Sequence, residues 1–249
     1  MVNEQVIKEV IDIVVSKHLL LKCGKGGFNK QVLSVFNKFR EETKNWTHEK
    51  ALYVTNKGEI VWSKEGDGNS VVLDTRTAWS ESQKNGLLHI EHNHPIVKGL
   101  ENFPSLLSRD DLKKMISSTA DGYLFRSITA EMGGSRMSIS KTRDFPLKSG
   151  IDSPFESEVL TLINKYDAVV SEYAYMYRDK IGEYTGMDKW EFAQALGSDT
   201  SWGSDEYRDN ISRKAIKEIG SLQSHLEKSG LLGEFEDVGL ILKVSGEVA

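Results

Sequence analysis

Cysteine is almost missing from this chain: among 249 residues there is one, Cys23. A single thiol excludes an intramolecular disulfide and any zinc site built from several thiolates. Such usage fits a reducing compartment, and the expected location is the cytoplasm. Positive charge is not in excess. Lys and Arg number 32 against 37 Asp and Glu, for a formal net charge of -5 and a pI near 5.8. No overall electrostatic footprint for nucleic acid is therefore present. Long apolar runs are missing too, since none approaches the roughly 20 residues that span a bilayer. Met1 to Gln5 carries no basic stretch, so no secretory signal is expected. There is no internal repeat or low-complexity tract. The glycine cluster at Cys23-Gly24-Lys25-Gly26-Gly27 cannot be written as a phosphate-binding G-x-x-x-x-G-K-[ST] loop, and reads as a turn between helices.

What remains is a globular composition, 39% hydrophobic and 28% charged, in a chain long enough to bury a core. Val6, Val10, Ile13 and Val14 predict a helix from Asn3 to about Leu21. Phe28, Val32, Val35, Phe36 and Phe39 predict a second. Residues 51–54 and 60–62 flank Asn56-Lys57-Gly58-Glu59 and read as a hairpin. Val71-Val72-Leu73 is a candidate strand and Thr77 to Lys84 a candidate helix. Leu87 to Glu91 reads as a strand running into His92-Asn93-His94-Pro95, and Ser108 opens a helix to about Ser117. Tyr123 to Glu131 and Arg136 to Ser140 form a closing hairpin around Gly133-Gly134.

Beyond Ser153-Pro154 the pattern changes. Phe155, Val159, Leu162, Tyr166, Val169, Tyr173 and Met176 lie on a heptad-like seam of one long helix. Packing within the chain is the favoured reading of this seam, and a partner helix along 155–176 is the alternative. Helices are expected over Lys189 to Leu196 and Asp205 to Glu227, with a last strand at Val238 to Val244. Three parts result: an N-terminal helical segment, 1–45; a mixed α/β part, 46–150; and a mainly helical extension, 151–249.

The chemistry concentrates in the middle part. Residues two apart on a strand face the same side, so His92 and His94 can converge at the strand end that Pro95 terminates. Two neutral imidazoles on one side make a good pair of zinc ligands, and a catalytic zinc usually takes a third protein ligand. Asp111, three residues after Ser108, is the candidate. Taken alone, Ser108-x-x-Asp111 reads as a capping box that closes a helix end; after a His-x-His-Pro strand end it reads as a ligand. His18, His48 and His225 have no partner pattern and read as surface or packing residues, while His89 and Glu91 alternate away from the histidine pair.

His92-Asn93-His94-Pro95 followed by Ser108-Arg109-Asp110-Asp111 resembles the JAMM motif of the JAMM/MPN zinc (iso)peptidases. The local wording is most similar to RadC-like and phage- or toxin-associated JAB-like domains. The resemblance spans roughly Ala51 to Ser140, although Ile96 to Leu107 makes a longer gap than that family has. It implies an α/β (α+β), cytidine-deaminase-like MPN/JAB domain with a mixed central sheet flanked by helices. It also implies Zn2+ held by His92, His94 and Asp111, and a peptide or isopeptide substrate. In that family a metal-activated water attacks the amide. The roles it implies are Glu65 as general base, with Glu59 as runner-up, and Ser108 as hydrogen-bond donor to the oxyanion. Two competing readings are a non-catalytic MPN-like scaffold and a metal-dependent nuclease or toxin. An HNH nuclease spreads its motif over a hairpin and helix rather than three adjacent residues, and the acidic chain opposes nucleic acid.

Overall fold

The computed structural model describes residues 28–66, 70–97, 100, 102–116, 124–142, 145, 154–188, 191–192, 194–195 and 203–246. The helix expected over Asn3 to Leu21, the glycine turn after it and His18 lie outside the described residues, as does part of Lys189 to Leu196. In chain order the elements are α1 (Lys30–Thr43), β1 (Lys50–Val54), β2 (Ile60–Glu65), α2 (Thr75–Asn85), β3 (Leu88–Asn93), α3 (Arg109–Ile116), β4 (Phe125–Met132) and β5 (Ser135–Lys141). They continue with α4 (Pro154–Thr185), α5 (Asp205–Ile219), α6 (Leu222–Lys228), α7 (Leu231–Asp237) and β6 (Leu240–Ser245). The fold is mixed α/β: a six-stranded sheet in the order β2-β1-β3-β4-β5-β6, flanked by helices. β3 and β4 run parallel and every other neighbouring pair is antiparallel. The parallel step requires a crossover, and the chain makes it through α3.

Strand parity divides the sheet into two unlike faces. On one, Tyr53, Ile90, Ile128, Ala130, Met137 and Ile139 form the main core with residues of α3 to α7. Val159, Leu162, Tyr166 and Tyr173 of α4 are buried there, so the seam of the long helix packs within the chain. The other face carries α1. Its Val32, Phe36 and Phe39 pack on Leu52 and Val54 of β1, each such side chain contributing roughly 1.5–3 kcal/mol by burial. Next to that patch the second face is polar yet buried, with His89, Glu91, Asn93, Ser127, Thr129 and Glu131. His89 is held by Ser127 Oγ at 2.8 Å and Asn56 Oδ1 at 2.9 Å. Burial together with the nearby Arg126 charge pushes its pKa down to about 3.

Local chemistry explains most boundaries. Asn29 caps α1 by accepting the Val32 N–H at 2.9 Å, and Asp74 caps α2 by accepting from Thr77 at 3.0 Å. In the β1–β2 turn Gly58 has φ 80°, and a Cβ there would lie 2.8 Å from the Gln31 Cβ. Two expectations fail. Val71 to Leu73 is not a strand, and Val72 is 74% exposed; these residues lead into the Asp74 cap without joining the sheet. The single helix expected over Asp205 to Glu227 is two, because Gly220 at φ 84° ends α5 and Ser221 starts α6 by accepting the Ser224 N–H at 3.1 Å.

Candidate metal centre

β3 delivers the histidines. All six of its residues are buried, because helices cover both faces. One step past the strand, the His94 N–H donates to the Glu131 carbonyl at 2.7 Å. That bond carries the parallel β3–β4 ladder far enough to keep His94 in strand alternation with His92. The two rings meet with Nε2 to Nε2 at 3.2 Å.

The third group comes from the first turn of α3. Ser108 is the cap: its carbonyl accepts the Leu112 N–H, and its Oγ accepts the Asp111 N–H at 3.1 Å. Asp111 answers through Oδ2, which accepts the Ser108 N–H at 2.9 Å and the Ser108 hydroxyl at 2.6 Å. This is the reciprocal capping box. The same Oδ2 stands 3.5 Å from His92 Nε2. Capping box and ligand are thus one arrangement: the cap fixes the carboxylate rotamer, and the rotamer aims at the histidines. Lys114, one turn on, lies 3.8 Å from the other carboxylate oxygen.

Among the described residues, His92, His94 and Asp111 are the group of three whose ligand atoms converge, all within 4.8 Å of one another. Two imidazole nitrogens and one carboxylate oxygen form the N/O donor set that a divalent transition metal such as zinc takes. The electrostatics agree. Burial opposes a charge on His92, but Asp111 and then Glu49 lift its pKa above the ordinary value. Burial and the neighbouring His92 push His94 down to about 4, so it stays neutral at pH 7. Burial would raise Asp111, yet His92, Ser108 and Lys114 together hold it far below the usual carboxylate range. One carboxylate and two nitrogens crowd a buried point where a cation would satisfy all three.

Glu65, the expected base, is not on the face of the histidines. Glu65 lies opposite Lys50 in the β1–β2 register. Lys50 points away from the face shared by Ala51 and its cross-strand partner His92. Glu65 is therefore on the α1 side of the sheet, 59% exposed, 3.8 Å from His48 Nε2 and 4.0 Å from Lys50 Nζ. Glu59 is in the turn at the other end of β1, exposed, where its backbone pairs with Thr55. Glu49 is the acid that parity puts on their side. It precedes Ala51 by two residues, so it shares the His92 face, and it is half-buried with its charge felt by both His92 and Asp111. Burial raises its pKa above the ordinary carboxylate value, with His92 pulling the other way. Strand parity was the signal available for it: an acid two positions before the inward-facing Ala51 at the mouth of β1. Ser108 is where it was expected, but its hydroxyl hydrogen is engaged by Asp111 and reaches a substrate oxygen only by rotating away.

Comparison with models of known families, with curated proteins and with solved structures finds no match.

Proposed function

We propose that this chain is a zinc-dependent peptidase or isopeptidase of the JAMM/MPN type, with an MPN/JAB-like arrangement of its sheet and helices. The observation that carries the reading is the buried convergence of His92, His94 and Asp111 with a half-buried glutamate on the same side. Zinc, when bound, supplies a Lewis acid that polarises the amide carbonyl and activates a water. His92 and His94 would hold the metal as neutral imidazoles, and Asp111 would add the one negative charge. Ser108 orients Asp111, as outer partners of metal ligands do. Glu49 takes over the role first given to Glu65. Its raised pKa makes the carboxylate a stronger base, which would accept a proton from water and later pass it to the leaving amine. The scaffold reading weakens because the site offers a carboxylate beyond its three ligands.

The test is metal content followed by turnover. Purified protein should carry one zinc per chain, and a His92→Ala/His94→Ala variant should carry none after dialysis. Wild type should cleave members of a peptide and isopeptide panel but not DNA. Zinc retained without any amide cleavage would favour the scaffold, and cleavage of DNA would favour the nuclease.

A further inference from the structure

The residue between the two histidines has a side chain that the metal centre does not use. Asn93 points to the opposite face of β3, where it is buried. Its Oδ1 accepts the Lys50 N–H at 2.7 Å, and its Nδ2 donates to the His48 carbonyl at 3.0 Å. Those two backbone groups are the ones that flank Glu49. On an extended chain the carbonyl of one residue and the N–H of the residue two further on point to the same side, while the residue between them turns its own N–H and carbonyl to the other. Glu49 follows this pattern, and its carbonyl accepts the Gly66 N–H at 2.8 Å.

The reason an amide stands here lies in the sheet. The β1–β3 pairing ends at Ala51 and His92. Two residues on, the His94 N–H is turned to β4 and donates to the Glu131 carbonyl. The Lys50 N–H and the His48 carbonyl lie beyond that last pair, and the Asn93 side chain meets both. A carboxamide carries one acceptor and one donor side by side, the same pair that a strand would offer. Asp offers no donor in its ionised form, Ala and Ser are too short, and Gln carries an extra methylene.

We infer that Asn93 is a positioning residue that extends the β1–β3 ladder by one side-chain amide and thereby fixes Glu49 on the face of His92, His94 and Asp111. This rests on the assignment of Glu49 to the metal centre. It also gives the His-Asn-His sequence a division of labour: the outer residues hold the metal on one face, and the middle one, from the other face, holds the strand that brings Glu49 to them.

A double-mutant cycle on zinc affinity tests it, with zinc competed against a chromophoric chelator. Removing an outer partner of a metal site typically weakens affinity about 10- to 100-fold. Glu49→Gln should fall in that range, Asn93→Ala should match it, and the double variant should be no weaker than either single one. Asn93→Asp, which keeps the acceptor for Lys50 and the side-chain size, provides the cycle if Asn93→Ala does not fold. Amide hydrogen exchange supplies a second readout: the Lys50 N–H should lose protection in Asn93→Ala while Tyr53, paired with Ile90, keeps its own. The inference is overturned if the losses multiply in the double variant, if the Asn93 variants bind zinc like wild type, or if the Lys50 N–H stays protected in Asn93→Ala. Wild type that binds no zinc would instead remove the metal-centre reading. A Glu49→Gln variant with unchanged affinity would remove Glu49 from the site, and Asn93's role with it.

Discussion

Asp111 is asked to do two things with one oxygen, and a pair of substitutions separates them. Asp111→Ala removes both the capping acceptor and the negative charge. Asp111→Asn keeps an oxygen that can accept the Ser108 N–H but removes the charge. A hydrogen bond to a charged acceptor contributes about 1.5–3 kcal/mol and one to a neutral acceptor about 0.5–1.5 kcal/mol. In metal-free protein Asn should therefore cost about 1 kcal/mol and Ala about 1 kcal/mol more. The pH dependence is specific. His92 is raised above its ordinary 6.5, so its share of the pair is fully present below 6.5 and fades as pH rises through the folded value. Asp111 is depressed, so its share is present above 3.8 and is lost as pH falls through the folded value. The gap between wild type and Asp111→Asn should then be widest between about pH 4 and 6.5 and narrow at alkaline pH. The assay is urea unfolding of chelator-treated protein across that range, with zinc competition run alongside. Both variants should lose more than the roughly 100-fold that an outer partner is worth. Equal stability of Asn and Ala, or wild-type zinc affinity in Asp111→Asn, would refute the dual role.

Other outcomes follow from the same geometry. Glu49→Gln should keep zinc stoichiometry while lowering turnover on the order of 10²–10⁴-fold, and Glu65→Gln should leave turnover unchanged; the reverse result would return the role to Glu65. Tyr166 donates from α4 to the Leu107 carbonyl at 3.0 Å, just before the cap of α3. Tyr166→Phe leaves that buried carbonyl unpaired and should cost about 1–3 kcal/mol in denaturant unfolding. His94 is depressed to about 4, so in metal-free protein its contribution is present above pH 6.5 and is lost as pH falls toward 4, about 3 kcal/mol in all. A His94→Gln variant should show a flatter acid limb in the stability-versus-pH curve.

Short-range pattern carried the site a long way. His92-x-His94-Pro95 and Ser108-x-x-Asp111 each encode their geometry within a few residues, as alternation on a strand and as a reciprocal cap. The structure joins them because α3 is the crossover between two parallel neighbours. Glu49 was hidden for the opposite reason. Which acid of the β1–β2 hairpin faces the histidines depends on the register of β1 against β3, and a shift of one residue exchanges the faces. Looking to the second strand of the hairpin led to Glu65, one strand too far and on the wrong side. The break at Gly220-Ser221 is encoded in residue type, but the apolar spacing continues across it and masks it. The polar face under α1 was readable in part, since His89 and Glu91 alternate away from the metal; its burial depends on a helix distant in sequence.

β3 has no spare side. Leu88, Ile90 and His92 serve one layer, while His89, Glu91 and Asn93 serve the other, and each set is buried. Insertion or deletion of one residue here would thrust the Glu91 carboxyl into the apolar layer and the imidazoles into the polar one. Between Leu88 and His94 the chain is therefore intolerant of any change in length, whatever residue is gained or lost. Between the histidines and the cap of α3 the described residues form no strand, and length variation has room there ahead of the buried Phe103, Ser105 and Leu107. A residue inserted between Ile96 and Leu100 should leave the site intact, whereas one inserted between Leu88 and His94 should destroy it.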